Sequence, residues 1–184
     1  MEPVELQDAQ VVRRAPREED VEDVYAACQD PEVQRWTSVP VPYRRQDAEF
    51  FVTEVAATGW AAGTNAIFLA RERGSGSLVG SIGLHDVANG MAEIGFWAAP
   101  GTRGRGLTTA AARLLCRWGF EELGLARIEW QAYVGNVGSR RVAEKVGFAI
   151  EGTCRQRLSA RGTRYDGWIG GLLPGDLPVA PTGT

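Results

Sequence analysis

The chain has 184 residues, 44% of them hydrophobic and 23% charged, with a formal net charge of −3. That length supports one domain with its own core. No apolar run approaches the roughly 20 residues of a membrane span, and without a long basic run an extended nucleic-acid-binding surface is not expected. One histidine, His85, cannot make a histidine-rich metal site, and Cys28, Cys116 and Cys154 are too scattered for a disulfide framework; no catalytic metal is expected. The polar N-terminus has neither the basic nor the apolar region of a secretory signal, so the expected location is the cytoplasm.

In chain order, a short strand is expected near Gln10 to Arg14, then a helix through Val21, Val24, Tyr25 and Cys28, stopped by Asp30-Pro31. A second helix follows Arg45, with Phe50, Phe51, Val55 and Ala56 at helical spacing and Thr58-Gly59 as its end. Three strands come next, at 66–71, 78–84 and 91–98. The turn-rich segments Gly74-Ser75-Gly76-Ser77 and Ala88-Asn89-Gly90 join them as an antiparallel meander. A helix over 107–122 then presents Leu107, Ala111, Leu114, Leu115 and Trp118 on one face. A strand at 126–133, a short helix around 139–146 closed by Gly147, and strands at about 148–157 and 164–173 complete the chain. This order predicts an α/β fold with a mixed sheet and a β-α-β crossover in its middle. One domain should span residues 1–173, with 174–184 as a flexible tail.

The stretch from Glu93 to Ala112 reads E-I-G-F-W-A-A-P-G-T-R-G-R-G-L-T-T-A-A-A, a strand, a glycine-rich turn and an amphipathic helix. Glycines let several N–H groups converge, and the unpaired amides at the helix start add the positive end of its dipole, which suits a diphosphate. Plain connection chemistry would explain the same glycines. A dinucleotide fingerprint begun at Gly104 and Gly106 needs glycine at Thr109, and a Walker loop begun at Gly101 and Gly106 needs lysine at Leu107, so neither fits.

The pattern that does fit is R-x-x-G-x-x from Arg103, directly after Ala-Ala-Pro, which resembles the pyrophosphate loop of GNAT-family acetyltransferases; Thr108 stands where that family usually has glycine or alanine. Residues Val134 to Gly152, V-G-N-V-G-S-R-R-V-A-E-K-V-G-F-A-I-E-G, resemble the family's second cofactor segment. The stretches E-D-V-E-D-V-Y, D-P-E-V-Q-R-W, A-E-I-G-F-W and G-T-R-Y-D-G-W-I-G-G-L-L resemble its RimJ/RimL-like branch of ribosomal-protein N-terminal acetyltransferases. The resemblance implies a GNAT acyl-CoA N-acyltransferase fold: a mixed, mostly antiparallel sheet of about seven strands with helices on both faces. It also implies acetyl-CoA as co-substrate and a primary amine as acceptor, on a protein N-terminus or on a small molecule such as an antibiotic. A homodimer is one assembly the family uses. A non-catalytic acyl-CoA-binding module would share the loop but lack a working base.

Forming an amide from a thioester requires a neutral amine, a stabiliser for the oxyanion and a proton for the leaving thiolate. A backbone N–H at Trp97 or Ala98 suits the oxyanion, with Phe96 beside them on the cofactor strand. The amides of Gly104, Arg105, Gly106, Leu107, Thr108 and Thr109 suit the pyrophosphate, with Arg103 nearby and backbone contacts dominating. Glu93 is the first candidate base, although a solvated strand-end carboxylate explains it as well; Glu129 is the reserve and His85 an outside candidate. The resemblance brings Ser139 to the thioester sulfur and Asn136 to the pantetheine arm, while capping of the following helix would account for both residues. Tyr133 is an alternative proton donor. The acceptor should sit between the first two helices and their connection, residues 35–44, with Trp36, Tyr43 and Trp97 as apolar walls or as plain core.

Overall fold

The computed structural model describes residues 1–178. Its elements run β1 (Leu6–Gln7), β2 (Val11–Arg14), α1 (Val21–Cys28), α2 (Pro31–Trp36), α3 (Arg45–Phe50), a π-helical segment (Phe51–Ala56), α4 (Ala57–Ala62), β3 (Ala66–Glu72), β4 (Leu78–Ala88), β5 (Met91–Ala98), α5 (Leu107–Glu121), β6 (Arg127–Tyr133), α6 (Val137–Val146), β7 (Ala149–Ala160) and β8 (Thr163–Leu172). The strands form one sheet in the order β1-β2-β3-β4-β5-β6-β8-β7. Its eight strands exceed the expected seven because β1, two residues long, is too short to leave a periodic signal. Every neighbouring pair is antiparallel except β5 and β6, which the α5 crossover makes parallel.

Two expectations about the first helices are corrected. Asp30-Pro31 ends α1 and also begins α2, a helix too short to show through its spacing. The Asp30 side chain accepts hydrogen bonds from the amides of Glu32 at 3.1 Å and Val33 at 3.0 Å, and proline at the first helical position gives up an N–H the helix would not have used. Thr58-Gly59 does not end the second helix, which continues to Gly63 in the left-handed region at φ 72°. Gly59 serves close packing instead, since a Cβ there would lie 2.7 Å from the Cβ of Asn65.

Strand alternation sorts the core into two faces. Phe68, Ile82 and Phe96 are in register across β3, β4 and β5, and Leu84, Ile94 and Trp130 across β4, β5 and β6. These belong to a cluster with Leu115 and Cys116 of α5 and Val146 of α6, in which Phe68 packs edge-on against Trp60 and Trp118 at 5.1 and 5.7 Å. The opposite face carries Leu69 and Trp97, covered by Val24, Val33, Ala48 and Val52 from α1, α2, α3 and the π-helical segment. Each large side chain buried this way contributes roughly 1.5–3 kcal/mol, so β3 to β5 are pinned from both sides. Pro174–Asp176 forms a 3₁₀ turn and Leu177 packs on the first cluster. The end of the expected tail, 179–184, lies outside the described residues.

Candidate active site

The parallel pair at the centre of the sheet does not stay paired. β5 and β6 are in register only from Met91/Arg127 to Ile94/Trp130, although β5 continues to Ala98 and β6 to Tyr133. Beyond that point each strand keeps only its outer neighbour, β4 or β8, and a gap opens between them. The Ala99 amide bonds the Val79 carbonyl on the β4 side at 2.8 Å. By alternation Trp97 also faces β4, and Phe96 and Ala98 turn their backbone groups toward the gap. Of the two expected oxyanion donors, the Ala98 amide is therefore the one placed to serve.

A cavity of about 500 Å³ lies on the α5/α6 side of this gap, and Phe96, Trp97, Ala98, Arg103, Gly104, Thr108, Asn136 and Ser139 are among its walls. The turn before α5 works through its backbone. Gly104 and Gly106 sit at φ 75° and 78°, a region costly for residues with a Cβ. No side chain caps α5, so its first amides remain available to an anion, and a Cβ at either glycine would meet no protein atom within 4 Å. Leu107 and Thr109 are buried beneath the loop, which restricts them to their amides. Both loop arginines are paired with carboxylates: Arg103 with Asp30 at 2.6 Å, Arg105 with Glu72. Asp30 thereby holds the loop and the first turn of α2 together, and Arg103 holds its carboxyl below the usual aspartate range.

Asn136 caps α6, its side-chain oxygen accepting from the Ser139 amide at 3.1 Å. The capping role weighed from the sequence is thus present, and Asn136 is at the same time part of the cavity wall. Ser139 has a more specific environment. The buried Trp130 indole donates to its Oγ at 3.0 Å, and because an indole N–H can only donate, the serine proton is turned elsewhere.

A second cavity of about 600 Å³ opens on the α1–α3 side and shares Trp36, Thr37, Phe96, Trp97, Asn136 and Ser139 with the first. The three candidate bases fall in one row across the sheet, since His85 pairs with Glu93 on β5 and Glu93 with Glu129 on β6. Only Glu93 and His85 line this cavity. Burial raises the Glu93 carboxyl above the usual glutamate range, opposed by a 2.6 Å hydrogen bond from Gln131 Nε2 and supported by the charges of Asp86 and Glu129. Burial depresses His85, which favours neutral imidazole. Its Nε2 lies 3.1 Å from where a Cβ would stand on Gly83 or Gly95, so this glycine pair leaves room for the ring. Glu129 instead pairs with Arg127 at 3.1 Å. Tyr133 lines the cavity, its ring 4.9 Å from that of Tyr165, and burial raises its phenol.

Two participants escape a reading of the sequence. Gln131 is one; its Oε1 is buried with no hydrogen-bond partner. Its i+2 spacing from Glu129 is visible, but contact with Glu93 depends on the β5/β6 register. The other is Arg161, at the tip of the β7–β8 hairpin, which donates to the carbonyls of Gln34 (2.9 Å), Thr37 (3.2 Å) and Val39 (2.9 Å) and so ties the hairpin to the wall shared by both cavities. No sequence signal links it to residues more than 120 positions away.

The strand pair thus parts above a glycine-lined helix start, with one cavity on each side. The profile of the acetyltransferase (GNAT) domain matches residues 11–149. The chain belongs to this family. Bacillus subtilis YdaF, provisionally assigned as a ribosomal N-acetyltransferase, is 47% identical over 93 residues, which are 50% of this chain and 51% of that protein. The chain therefore aligns with about half the length of this relative. YoaA of B. subtilis, an uncharacterised N-acetyltransferase, is 28% identical over 163 residues, 88% of this chain and 92% of that one. RimJ of Mycobacterium smegmatis, solved with a CoA disulfide, shares the fold with a TM-score of 0.84 at 22% identity, covering 97% of this chain and 90% of RimJ.

Proposed function

We propose that this chain is an acetyl-CoA-dependent N-acetyltransferase that delivers the acetyl group to a primary amine, on a protein N-terminus or a small molecule, by direct attack within a ternary complex. The observation that carries this reading is the parting of β5 and β6, which joins a cavity bordered by the glycine turn before α5 to one containing Glu93. One domain over residues 1–173 carries both halves, and a cytoplasmic location suits an enzyme that uses acetyl-CoA. Among the described residues no helix is long and apolar enough to cross a membrane.

Acetyl-CoA supplies the activated carbonyl. The amides of Gly104 to Thr109 and the α5 dipole receive its pyrophosphate, and Asn136 meets the pantetheine arm. Glu93 takes a proton from the incoming ammonium, directly or through water, and its raised carboxyl is better matched to that task than an ordinary glutamate. The neutral nitrogen then attacks the thioester carbon. Ala98 N–H stabilises the oxygen that becomes anionic. As the carbon–sulfur bond breaks, Ser139 protonates the thiolate and recovers its proton from the attacking nitrogen; the first proton leaves Glu93 for solvent. No cysteine lines either cavity, which favours direct attack over an acyl-enzyme. Trp36 and Trp97 wall the junction between the two reactants.

Thermal-shift measurements with acetyl-CoA, NADH and ATP, followed by thiol release in the presence of an amine panel, test the reading. Stabilisation by acetyl-CoA alone and amine-dependent thiol release are expected. Stabilisation by a nucleotide but not by acetyl-CoA sinks it.

A further inference from the structure

The two mouths of the site differ in charge. The cavity on the loop side has Arg103 as well as Glu32 in its wall and free amides nearby, whereas no lysine or arginine lines the second cavity among the described residues. Its ionisable lining groups are the carboxylates of Asp47 and Glu93, the depressed imidazole of His85 and the raised phenols of Tyr43 and Tyr133. Asp86 and Glu129 reinforce this negative character from outside the walls. Of the nearby cations, Arg157 acts on Glu93, Arg127 pairs with Glu129, Arg35 lies 4.6 Å over the Trp36 ring, and Arg161 acts on Tyr133 while its guanidinium bonds three backbone carbonyls; none of them lines the cavity. The remainder is largely apolar and extends outward, since Phe50, on the rim, is 60% exposed.

A second, independent observation concerns hydrogen bonding. Gln131 gives its Nε2 to Glu93, which leaves its Oε1 buried and without a donor. A buried acceptor without a partner costs roughly 1–3 kcal/mol, a cost the fold carries while Nε2 is kept on Glu93.

Resting on the acetyltransferase reading, we propose that the acceptor is a primary amine carried on an apolar, aromatic-compatible body with no anionic group near the amine. Glu93, held by Gln131 Nε2, receives the nitrogen, and Phe51, Trp97 and Phe50 receive the body. A carboxylate on the carbon bearing the amine would be desolvated among like charges with no cation in the cavity wall to meet it. The same chemistry is offered by a free arylalkylamine and by a peptide beginning with an apolar residue.

Phenethylamine and phenylalanine separate the idea cleanly, because they differ only by that carboxylate. Each is added to the full chain in thermal-shift titrations and in thiol-release assays with acetyl-CoA, beside peptide amides beginning with Phe or Glu. Phenethylamine is expected to bind, and to turn over, at least about tenfold better than phenylalanine, and the Phe peptide better than the Glu peptide by a similar factor. Whether the free amine or the Phe peptide is the better of the two identifies the source, and either supports the proposal. Equal response to the paired ligands, or response to neither, overturns it. In S159R, a cation joins the second cavity from an exposed hairpin position; the phenylalanine-to-phenethylamine ratio should rise about tenfold, and an unchanged ratio overturns the role given to charge. Stabilisation by phenethylamine without thiol release would leave this inference standing and sink acetyl transfer.

Discussion

The two cavities that meet between β5 and β6 are built by different means. The one toward α5 adjoins a loop shaped by backbone: two glycines at positive φ, the uncapped start of a helix and a strand that has left its neighbour. The other is made of side chains from four separated parts of the chain, namely α2 to the π-helical segment, the centre of the sheet, the start of α6 and the β7–β8 hairpin. A site made of amides tolerates changes in neighbouring side chains but not in backbone conformation, and one made of side chains behaves in the opposite way. Substitutions on the two sides should therefore fail differently.

The sharpest separation is expected at Glu93. E93Q keeps an acceptor for Gln131 but removes the base, so turnover should fall by about 10²–10⁴ while acetyl-CoA affinity stays within about twofold. In the wild type, kcat/KM should climb with pH through an ionisation above the usual glutamate range, and E93Q should lose that limb. The same shift acts on stability. A carboxyl whose folded pKa is raised binds protons more tightly in the folded state, so its ionisation costs stability above that pKa and nothing below the unfolded one. E93Q should accordingly melt higher than the wild type at neutral and alkaline pH, with the advantage vanishing under acid conditions. Turnover unchanged across pH would remove Glu93 from the base role.

Ser139 comes next because it joins the two cavities. S139A should lower turnover by about 10–100-fold with little change in affinity for acetyl-CoA, a smaller loss because water can also protonate a thiolate. It also strands the buried Trp130 indole N–H, at a cost of roughly 1–3 kcal/mol in chemical denaturation. A stability loss without a turnover loss would reduce Ser139 to packing and capping.

How much of this was legible follows the same division. The glycine loop is local in sequence, so Arg103 to Thr109 could be read from spacing and from the following helix. Turn residues flanking an alternating stretch mark the strand Met91–Ala98 at both of its ends. The row of His85, Glu93 and Glu129 was not legible as a row, because strand neighbours and register are long-range properties; three candidates for one role turned out to be side by side, with only two facing the cavity. At Asp30-Pro31 and Gly59, residues that punctuate chains elsewhere act here as a helix start and a close-packing site. Local composition cannot tell these uses apart, since the deciding partner at Gly59 is Asn65 across a turn.

Arg161 is the counterpart on the side-chain cavity. Its three carbonyl bonds fix the segment after α2, so R161A should raise KM for the amine by about tenfold and speed amide exchange over residues 34–40, leaving acetyl-CoA affinity unchanged. R161K should recover only part of the loss, because an ammonium lacks the planar fork that reaches several carbonyls at once. An equal rise in the acetyl-CoA KM would make the residue a general stabiliser of the wall both cavities share.

The smallest effect is expected in the loop, and it distinguishes two reasons for having glycine there. Gly106 caps α5 at φ 78° with nothing within 4 Å of the position a Cβ would take, so G106A meets no protein atom and incurs only the left-handed conformation, roughly 1–2 kcal/mol. If that were its whole role, G106N, with a residue that tolerates this region better, would restore both melting temperature and acetyl-CoA affinity. If the open space is where the pyrophosphate approaches the backbone, G106N should recover stability yet still bind acetyl-CoA several-fold more weakly than the wild type. The amine KM should not move in either variant, since Gly106 lies outside the second cavity. A loop whose conformation can be repaired without repairing affinity is one whose glycine makes room for a ligand.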